Sequence, residues 1–141
     1  MRMLVVGGGP AGLYFALLMK LRDPRHEITV VERDGPHDTL GWGIVFSVQT
    51  FSYLKGHDDP SADAIVAGCE TWDNVDIVHR GRKVTTRGNR FSRIARLAFL
   101  NILHRRCEAV GADLRFSERI DREKLRKRDP EFVAAYESES R

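Results

Sequence analysis

The chain has 141 residues, enough for one domain, and a formal net charge of +3. With 42% hydrophobic and 30% charged residues, most of the chain is too apolar to be disordered. The apolar run over residues 12–19 is much shorter than the roughly 20 residues that span a bilayer, and no secretory signal is recognised, so we expect no membrane partner. Two cysteines, Cys69 and Cys107, are too few for a disulfide framework, which favours the cytoplasm.

The first 32 residues predict a strand, a glycine turn, a helix and a second strand. Arg2–Val6 is a short apolar run suited to a buried strand, and three glycines and Pro10 end it. Leucines at helical spacing predict a helix over Ala11–Leu21, and β-branched residues favour a strand over Glu27–Glu32. A right-handed parallel βαβ unit is therefore expected.

The rest of the chain predicts further short elements. These are a strand over Ile44–Phe46, helices over Ser47–Lys55 and Ser61–Ala67, a hairpin of Val75–His79 with Lys83–Thr86, a long helix from Phe91 or Ser92 to a cap at Gly111, and a strand over Ala112–Phe116. The fold class is therefore α/β, an incomplete Rossmann-like parallel sheet with a small hairpin insertion. We divide the chain into a domain over residues 1–120 and a charge-rich tail over 121–141, which is expected to be helical or poorly ordered.

A glycine motif joins the first strand to the first helix. Gly7, Gly9 and Gly12 form G-x-G-x-x-G, in which the first glycine permits the tight turn, the second lets a pyrophosphate approach, and the third allows close helix packing. The helix N-terminus attracts an anion. Glu32 lies 20 residues beyond Gly12, where a carboxylate accepts hydrogen bonds from a ribose. The motif in this context predicts binding of an adenine dinucleotide.

A stretch without acidic residues runs from Ile77 to Cys107. It holds nine basic residues: Arg80, Arg82, Lys83, Arg87, Arg90, Arg93, Arg96, Arg105 and Arg106. Such a stretch binds phosphates of a nucleotide or of nucleic acid, or it forms a solvated face whose counter-charges come from elsewhere in the fold. Because aromatic stacking residues and a recognition helix are not found, we expect no nucleic-acid partner.

Several segments resemble one enzyme family. Gly7-Gly8-Gly9-Pro10-Ala11-Gly12-Leu13 and the pair Glu32-Arg33 resemble the FAD-binding start of class A flavoprotein monooxygenases. Gly41-Trp42-Gly43-Ile44-Val45-Phe46-Ser47 and Leu100-Asn101-Ile102-Leu103 narrow the resemblance to the salicylyl-CoA 5-hydroxylase and anthraniloyl-CoA monooxygenase group. The resemblance covers roughly residues 1–120.

The resemblance implies a set of cofactor-binding residues for FAD. They are Gly7, Gly9, Pro10, Ala11, Gly12 and Glu32 around the ADP half, Arg33 beside the adenosine, Arg96 at a phosphate or the ribityl chain, and Trp42 close to the flavin. Other roles remain open for two of them. Arg96 would otherwise pair with a surface acid at the helix start, and Trp42 would otherwise be a core aromatic.

The implied reaction is hydroxylation of an aromatic ring, with NAD(P)H as reductant and an aryl-CoA thioester as the substrate class. No catalytic residue is identified, and the spacing of the five histidines predicts no metal site. Two family segments, one ending in Asp-Gly and one containing Gly-Asp, are not found after Phe116. A truncated gene, a frameshifted remnant or an excised fragment would explain this, and the alternative function is an inactive nucleotide-binding remnant. An uncovered sheet face would then favour self-association.

Overall fold

The protein, seen in a computed structural model, is described over residues 1–38, 40–88 and 90–121. Eight strands and four helices follow one another in this part of the chain. They are β1 (Arg2–Val6), α1 (Pro10–Arg22), β2 (Glu27–Val31), β3 (Gly43–Ser47), α2 (Val48–Lys55), α3 (Asp59–Ala67), β4 (Glu70–Trp72), β5 (Val75–His79), β6 (Arg82–Thr86), β7 (Phe91–Ala95), α4 (Arg96–Ala109) and β8 (Asp113–Arg115). Apart from Asp121, the predicted tail lies outside the described residues.

The first sheet is parallel and has the strand order β1-β2-β8. Val5 pairs with Val30, and Val30 pairs with Leu114 on the other side of β2. The predicted βαβ unit and the α/β class are confirmed, because α1 connects two adjacent parallel strands.

Helices α1 and α4 pack together against one face of this sheet. Leu13 and Leu17 of α1 and Leu103 of α4 are completely buried against inward-facing residues of β2, including Val30. The Cys107 thiol donates to the carbonyl oxygen of Leu13 at 3.2 Å, so the two helices also share a polar contact. This apolar layer holds the N-terminus of each helix at the same end of the sheet as the carboxyl ends of the strands.

The opposite face of the parallel sheet carries exposed apolar side chains. Successive residues of a strand point to opposite faces, so Leu4 and Val6 point away from the buried Val5 side. Leu4 is 43% exposed and Val6 is 65% exposed. Parallel sheets are normally covered on both faces, whereas this face is partly exposed at Leu4 and Val6.

The second sheet is antiparallel, with the order β3-β7-β4, and it corrects one prediction. Residues Phe91–Ala95 form β7 and not the start of the long helix, which begins at Arg96. Ser92 and Ile94 point inward and are buried, and β7 pairs with β3 on one side and β4 on the other. These partners are distant in sequence, and β4 itself was not predicted.

Helix α3 also begins earlier than predicted, at Asp59. The Asp58 carboxylate accepts a hydrogen bond from the Ser61 backbone N–H at 3.0 Å and caps the helix, and Pro60 lies in the first turn. These are common signals of a helix start. No helix in the described part of the chain is long and apolar enough to cross a membrane.

The predicted hairpin is confirmed as β5 and β6, which pair only with each other among the described strands. Arg80 and Gly81 form its turn with φ values of 48° and 73°. Val78 and Val84 are 69% and 59% exposed. The hairpin therefore projects from the rest of the molecule as a separate two-stranded unit.

Candidate nucleotide-binding site

The glycine turn between β1 and α1 leads the chain directly into a helix N-terminus. Gly7 has a φ of +111°, a region that favours glycine, and its N–H donates to the Val31 carbonyl oxygen at 2.8 Å. Helix α1 starts at Pro10, no side chain caps it, and its first turn carries no acidic residue. An anion at this end would meet the partial positive charge of a 13-residue helix.

Gly9 and Gly12 differ in what surrounds them, as the motif predicts. A Cβ atom added at Gly9 would have no neighbouring atom of the described residues within 4 Å, so open space lies over this part of the turn. A Cβ atom at Gly12 would collide with the Gly7 carbonyl oxygen and would lie 3.1 Å from the Val5 side chain. The turn therefore leaves room for a ligand group at Gly9 and packs tightly at Gly12.

Glu32 ties the end of β2 to the glycine turn. Its Oε2 accepts from the Gly8 N–H at 2.7 Å, and its Oε1 accepts from the Asp34 N–H at 3.1 Å. Burial raises the pKa of Glu32, but the N–H groups of Asp34, Gly8 and Arg33, together with the Arg33 charge, lower that pKa overall. The carboxylate is ionised at neutral pH, and each oxygen retains a lone pair for a further donor such as a ribose hydroxyl.

These groups line one cavity of about 460 Å³. Its wall is made by the glycine turn, by the segment that follows β2, by one side of α4 and by the segment that follows β8. The lining residues include Gly7, Gly8, Gly9, Glu32, Arg33, Asp34, Gly35, Pro36, Leu40, Arg96, Leu100, His104, Phe116, Glu118, Arg119 and Ile120. The volume of the cavity and the chain segments that line it suit an extended nucleotide rather than a compact metal ion.

Arg33 and Arg96 bring positive charge to two parts of this wall. Arg33 is largely exposed, and its Nε lies 3.5 Å from Asp34 Oδ2. Arg96 is half-buried at the start of α4, and its N–H donates to the Trp42 carbonyl oxygen at 3.4 Å. Arg96 is the first residue of α4.

Four of the predicted site residues are not part of the cavity wall that the described residues form. They are Pro10, Ala11, Gly12 and Trp42. The first three form the start of α1 beside the glycine turn. Trp42 is 99% exposed, so the alternative that it is a core aromatic is wrong. Its neighbour Leu40 is 84% exposed and does line the cavity.

The basic stretch receives its counter-charges from other elements. Arg106 pairs with Asp58, Arg93 with Glu70, Lys83 with Asp76 and Arg90 with Asp73, at distances of 2.6 to 3.4 Å. All four acids precede the stretch in sequence. These pairs support the interpretation of the basic stretch as a solvated face whose counter-charges come from elsewhere in the fold.

The remaining histidines and cysteines give no catalytic constellation in the described residues. No group of three or more His, Cys, Asp or Glu side chains in this part of the chain is arranged to hold a metal ion. Cys107 is completely buried, and burial raises its pKa to about 11. It is part of the apolar core.

The wall residues that sequence reasoning missed include Gly8, Leu100 and His104. The Gly8 N–H holds the Glu32 carboxylate, and no side-chain pattern marks such a backbone donor. Leu100 and His104 follow Arg96 at helical spacing, so the i, i+4, i+8 pattern was available as a signal.

A comparison with models of known protein families finds no match. The chain is 32% identical over 120 residues to a salicyloyl-CoA 5-hydroxylase from Streptomyces sp, a match over 85% of this chain and 23% of the relative. It is 32% identical over 111 residues to a 3-hydroxy-4-methyl-anthranilyl-[aryl-carrier protein] 5-monooxygenase from Streptosporangium sibiricum, over 79% and 32% of the two chains. The chain thus spans about a quarter to a third of the length of these curated relatives.

Solved structures show the same fold. A tetrameric form of 2-methyl-3-hydroxypyridine-5-carboxylic acid oxygenase superposes with a TM-score of 0.71 at 22% identity, over 82% of this chain and 31% of that one. The crystal structure of CtdE in complex with FAD and a substrate gives a TM-score of 0.65 at 17% identity, over 84% and 30%. These likenesses establish that the α/β arrangement is one found in oxygenases.

Proposed function

We propose that this chain, which is related in sequence to salicyloyl-CoA 5-hydroxylase and other aromatic monooxygenases, is an FAD-binding portion of such an enzyme. In this proposal residues 1–120 form the FAD-binding portion, and residues 121–141 are a separate tail. The enzyme would be a flavoprotein that hydroxylates an aromatic ring.

One observation carries the proposal. The Gly8 N–H and the Glu32 carboxylate are joined at 2.7 Å on the wall of a cavity that also contains the open space at Gly9. A pyrophosphate and the adjoining ribose of one ADP unit need an anion site and a hydroxyl acceptor side by side. The glycine turn and Glu32 supply these two sites.

The residues fit the ADP half of FAD in charge as well as in position. The uncapped N-terminus of α1 and the Arg96 guanidinium would face the phosphates, because an arginine keeps its charge and presents several donors. Arg33 would lie beside the adenosine, and Pro10, Ala11 and Gly12 would present the helix N-terminus. When bound, the flavin would take electrons from NAD(P)H and activate oxygen for transfer to the ring.

The names of the relatives suggest the substrate class. One relative is named for salicyloyl-CoA and another for an anthranilyl-carrier protein, so both act on aromatic acyl groups held as thioesters. We propose an aryl thioester, with the CoA ester as first choice, as the aromatic substrate of the complete enzyme. A cytoplasmic location agrees with the two free cysteines, Cys69 and Cys107.

A second candidate is nucleotide binding without turnover. The exposed Trp42 and Leu40 favour it, because a flavin beside them would be open to water on that side. Water exclusion is what lets an active site protect a reactive group from side reactions. Self-association through the face that carries Leu4 and Val6 is the partner interaction that belongs to this candidate.

Titration of the purified chain with FAD, ADP and FMN tests the proposal. Because the described cavity provides the ADP subsites, FAD and ADP should bind and FMN, which lacks the adenosine, should bind at least tenfold more weakly. Equal affinity for FMN and FAD would contradict the assignment of the glycine turn and Glu32. Failure of both FAD and ADP to bind at millimolar concentration would overturn the proposed function.

A further inference from the structure

One side of α4 contributes three residues to the wall of the nucleotide cavity. Arg96, Leu100 and His104 are spaced four residues apart, so they lie in a row on the helix, and all three line the cavity. Arg96 begins the row near the glycine turn, where the phosphates are proposed to bind. His104 ends the row, two helical turns further along.

His104 lies at the junction of this cavity with a second one of about 340 Å³. Three residues line both cavities: Pro36, His104 and Phe116. Pro36 follows Glu32 by four residues, and Phe116 follows the end of β8. The junction therefore lies at the end of the α4 row opposite Arg96.

The His104 ring packs against an aromatic ring, but one of its nitrogens has no hydrogen-bond partner among the described residues. Its ring contacts the Phe116 ring in a T-shaped arrangement, with centroids 4.9 Å apart and an interplanar angle of 72°. The residue is only 8% exposed, and its Nε2 is buried with no hydrogen-bond partner among the described residues. The ring lines both cavities, and a half-turn about Cβ–Cγ exchanges the positions of Nε2 and Cε1 without backbone movement.

We propose that His104 contacts the nucleobase of the bound dinucleotide and selects adenine, an inference that rests on the proposed function. Adenine offers ring nitrogens as acceptors and an exocyclic amino group as donor, and a neutral imidazole offers one donor and one acceptor. A nucleobase at the junction would also lie against the apolar surfaces of Pro36 and Phe116. His104 is thus a nucleotide-binding residue that lies outside the glycine motif.

The surroundings of His104 keep the imidazole neutral. Burial, the largest influence, lowers the pKa of His104, His37 lowers it further, and Glu108 opposes both. His37, Arg105 and Glu108 line the second cavity with it, and Arg96 lies at the far end of the row. The neutral form is the one that both donates to and accepts from a base.

Nucleotide preference tests the role of His104. The full chain is titrated with ADP, with IDP, whose base lacks the amino group, and with CDP, and Kd is measured by calorimetry. The wild-type chain should bind ADP about fivefold more tightly than IDP, and His104→Phe, which keeps an aromatic ring beside Phe116, should abolish this ratio. His104→Gln, which keeps a hydrogen-bonding side chain, should retain part of the preference for ADP over IDP. His57→Phe is the matched control at an exposed histidine that lines neither cavity, and it should keep the wild-type ratio.

The outcomes separate this inference from the proposed function. If wild type binds neither FAD nor ADP, the proposed function falls and the role of His104 falls with it. If wild type binds ADP but His104→Phe keeps the ADP-to-IDP ratio and the wild-type Tm, only the role of His104 is overturned. Should His104→Phe not fold, the imidazole ¹⁵N resonances of His104 in the wild-type chain decide. They should shift on saturation with ADP, and unchanged resonances would overturn the inference.

Discussion

The Arg106 guanidinium binds both oxygens of the Asp58 carboxylate, with Nε 2.9 Å from Oδ2 and Nη2 2.8 Å from Oδ1. The Asp58 side chain is 2% exposed and the Arg106 side chain is 23% exposed. The same carboxylate caps α3 through the Ser61 N–H. One buried acid therefore fixes the start of α3 to α4, the helix that carries Arg96 and His104 along the cavity.

Removal of the arginine from this pair should destabilise the fold strongly. Arg106→Ala leaves the Asp58 carboxylate buried without its partner, and we expect the free energy of unfolding to fall by about 3 kcal/mol. Arg105→Ala is the matched control, because Arg105 is exposed and should change stability by less than about 0.5 kcal/mol. Urea denaturation measures both, and equal effects of the two variants would contradict a special role for the buried pair.

Acid should weaken the same pair. Burial raises the pKa of Asp58, but the hydrogen bonds from Arg106 and Ser61 and the Arg106 charge lower that pKa overall. A lowered pKa means that the stabilisation is complete above the unfolded value of about 4 and is lost as the pH falls through the folded value. Urea denaturation between pH 7 and pH 3 should show this loss, and Asp58→Asn should lose less stability over the same range. Parallel profiles for the two proteins would refute this expectation.

Glu32, which directly follows β2, should matter for FAD binding more than the acid at the start of that strand. Glu32→Ala removes the proposed ribose acceptor, and FAD binding should weaken by about 1–3 kcal/mol, the scale of a hydrogen bond to a charged group. Glu27→Ala changes an exposed acid at the other end of β2 and should leave Kd unchanged. Fluorescence titration of FAD gives both values, and an unaltered Kd for Glu32→Ala would remove Glu32 from the site.

Two glycines of the turn should respond in opposite ways. A side chain at Gly9 enters open space, so Gly9→Val should fold with nearly the wild-type Tm but bind FAD at least tenfold more weakly, because it fills the proposed phosphate position. Gly12→Ala places a Cβ against the Gly7 carbonyl oxygen and should lower the Tm. Thermal melts and FAD titrations separate these effects. Normal FAD binding by Gly9→Val would show that phosphate binds elsewhere.

Produced alone, the 141-residue chain should form no hydroxylated product. The wall residue Leu40 and Trp42, two residues further along the chain, are 84% and 99% exposed. Activated oxygen that is open to water is lost before it reaches a ring. The assay supplies salicyloyl-CoA or anthraniloyl-CoA with FAD and NAD(P)H and follows product and peroxide. Oxidation of NAD(P)H that yields only peroxide agrees with an open flavin, whereas stoichiometric product would contradict the expectation.

Local sequence patterns predicted the part of the fold that holds the glycine turn. The run Arg2–Val6, the glycines and the leucines of α1 each depend on neighbours within a few residues, so their spacing is sufficient. Glu32 was predicted as a ribose acceptor, and the sequence placed it correctly at the carboxyl end of β2. Its hydrogen bond to Gly8 was not predictable, because it joins residues 24 positions apart.

Strand β7 shows why the rest was harder to predict. Phe91–Ala95 is followed by a helix with no side-chain cap at Ala95, so no local signal separates strand from helix there. The strand forms because β3 and β4 pair with it on both sides. The cavity position of His104 was not predicted for a similar reason: only the arrangement of α4 against the segment after β8 reveals it.

The hairpin of β5 and β6 has a consequence for the motions of the native protein. Each strand has five residues, and neither pairs with a third strand of the described chain. A lone two-stranded hairpin is only marginally stable in water, so it opens without disturbing the buried layer around Val30 and Leu103. Amide protons of the hairpin therefore exchange with solvent through local opening, whereas those of β2 exchange only through a larger unfolding event.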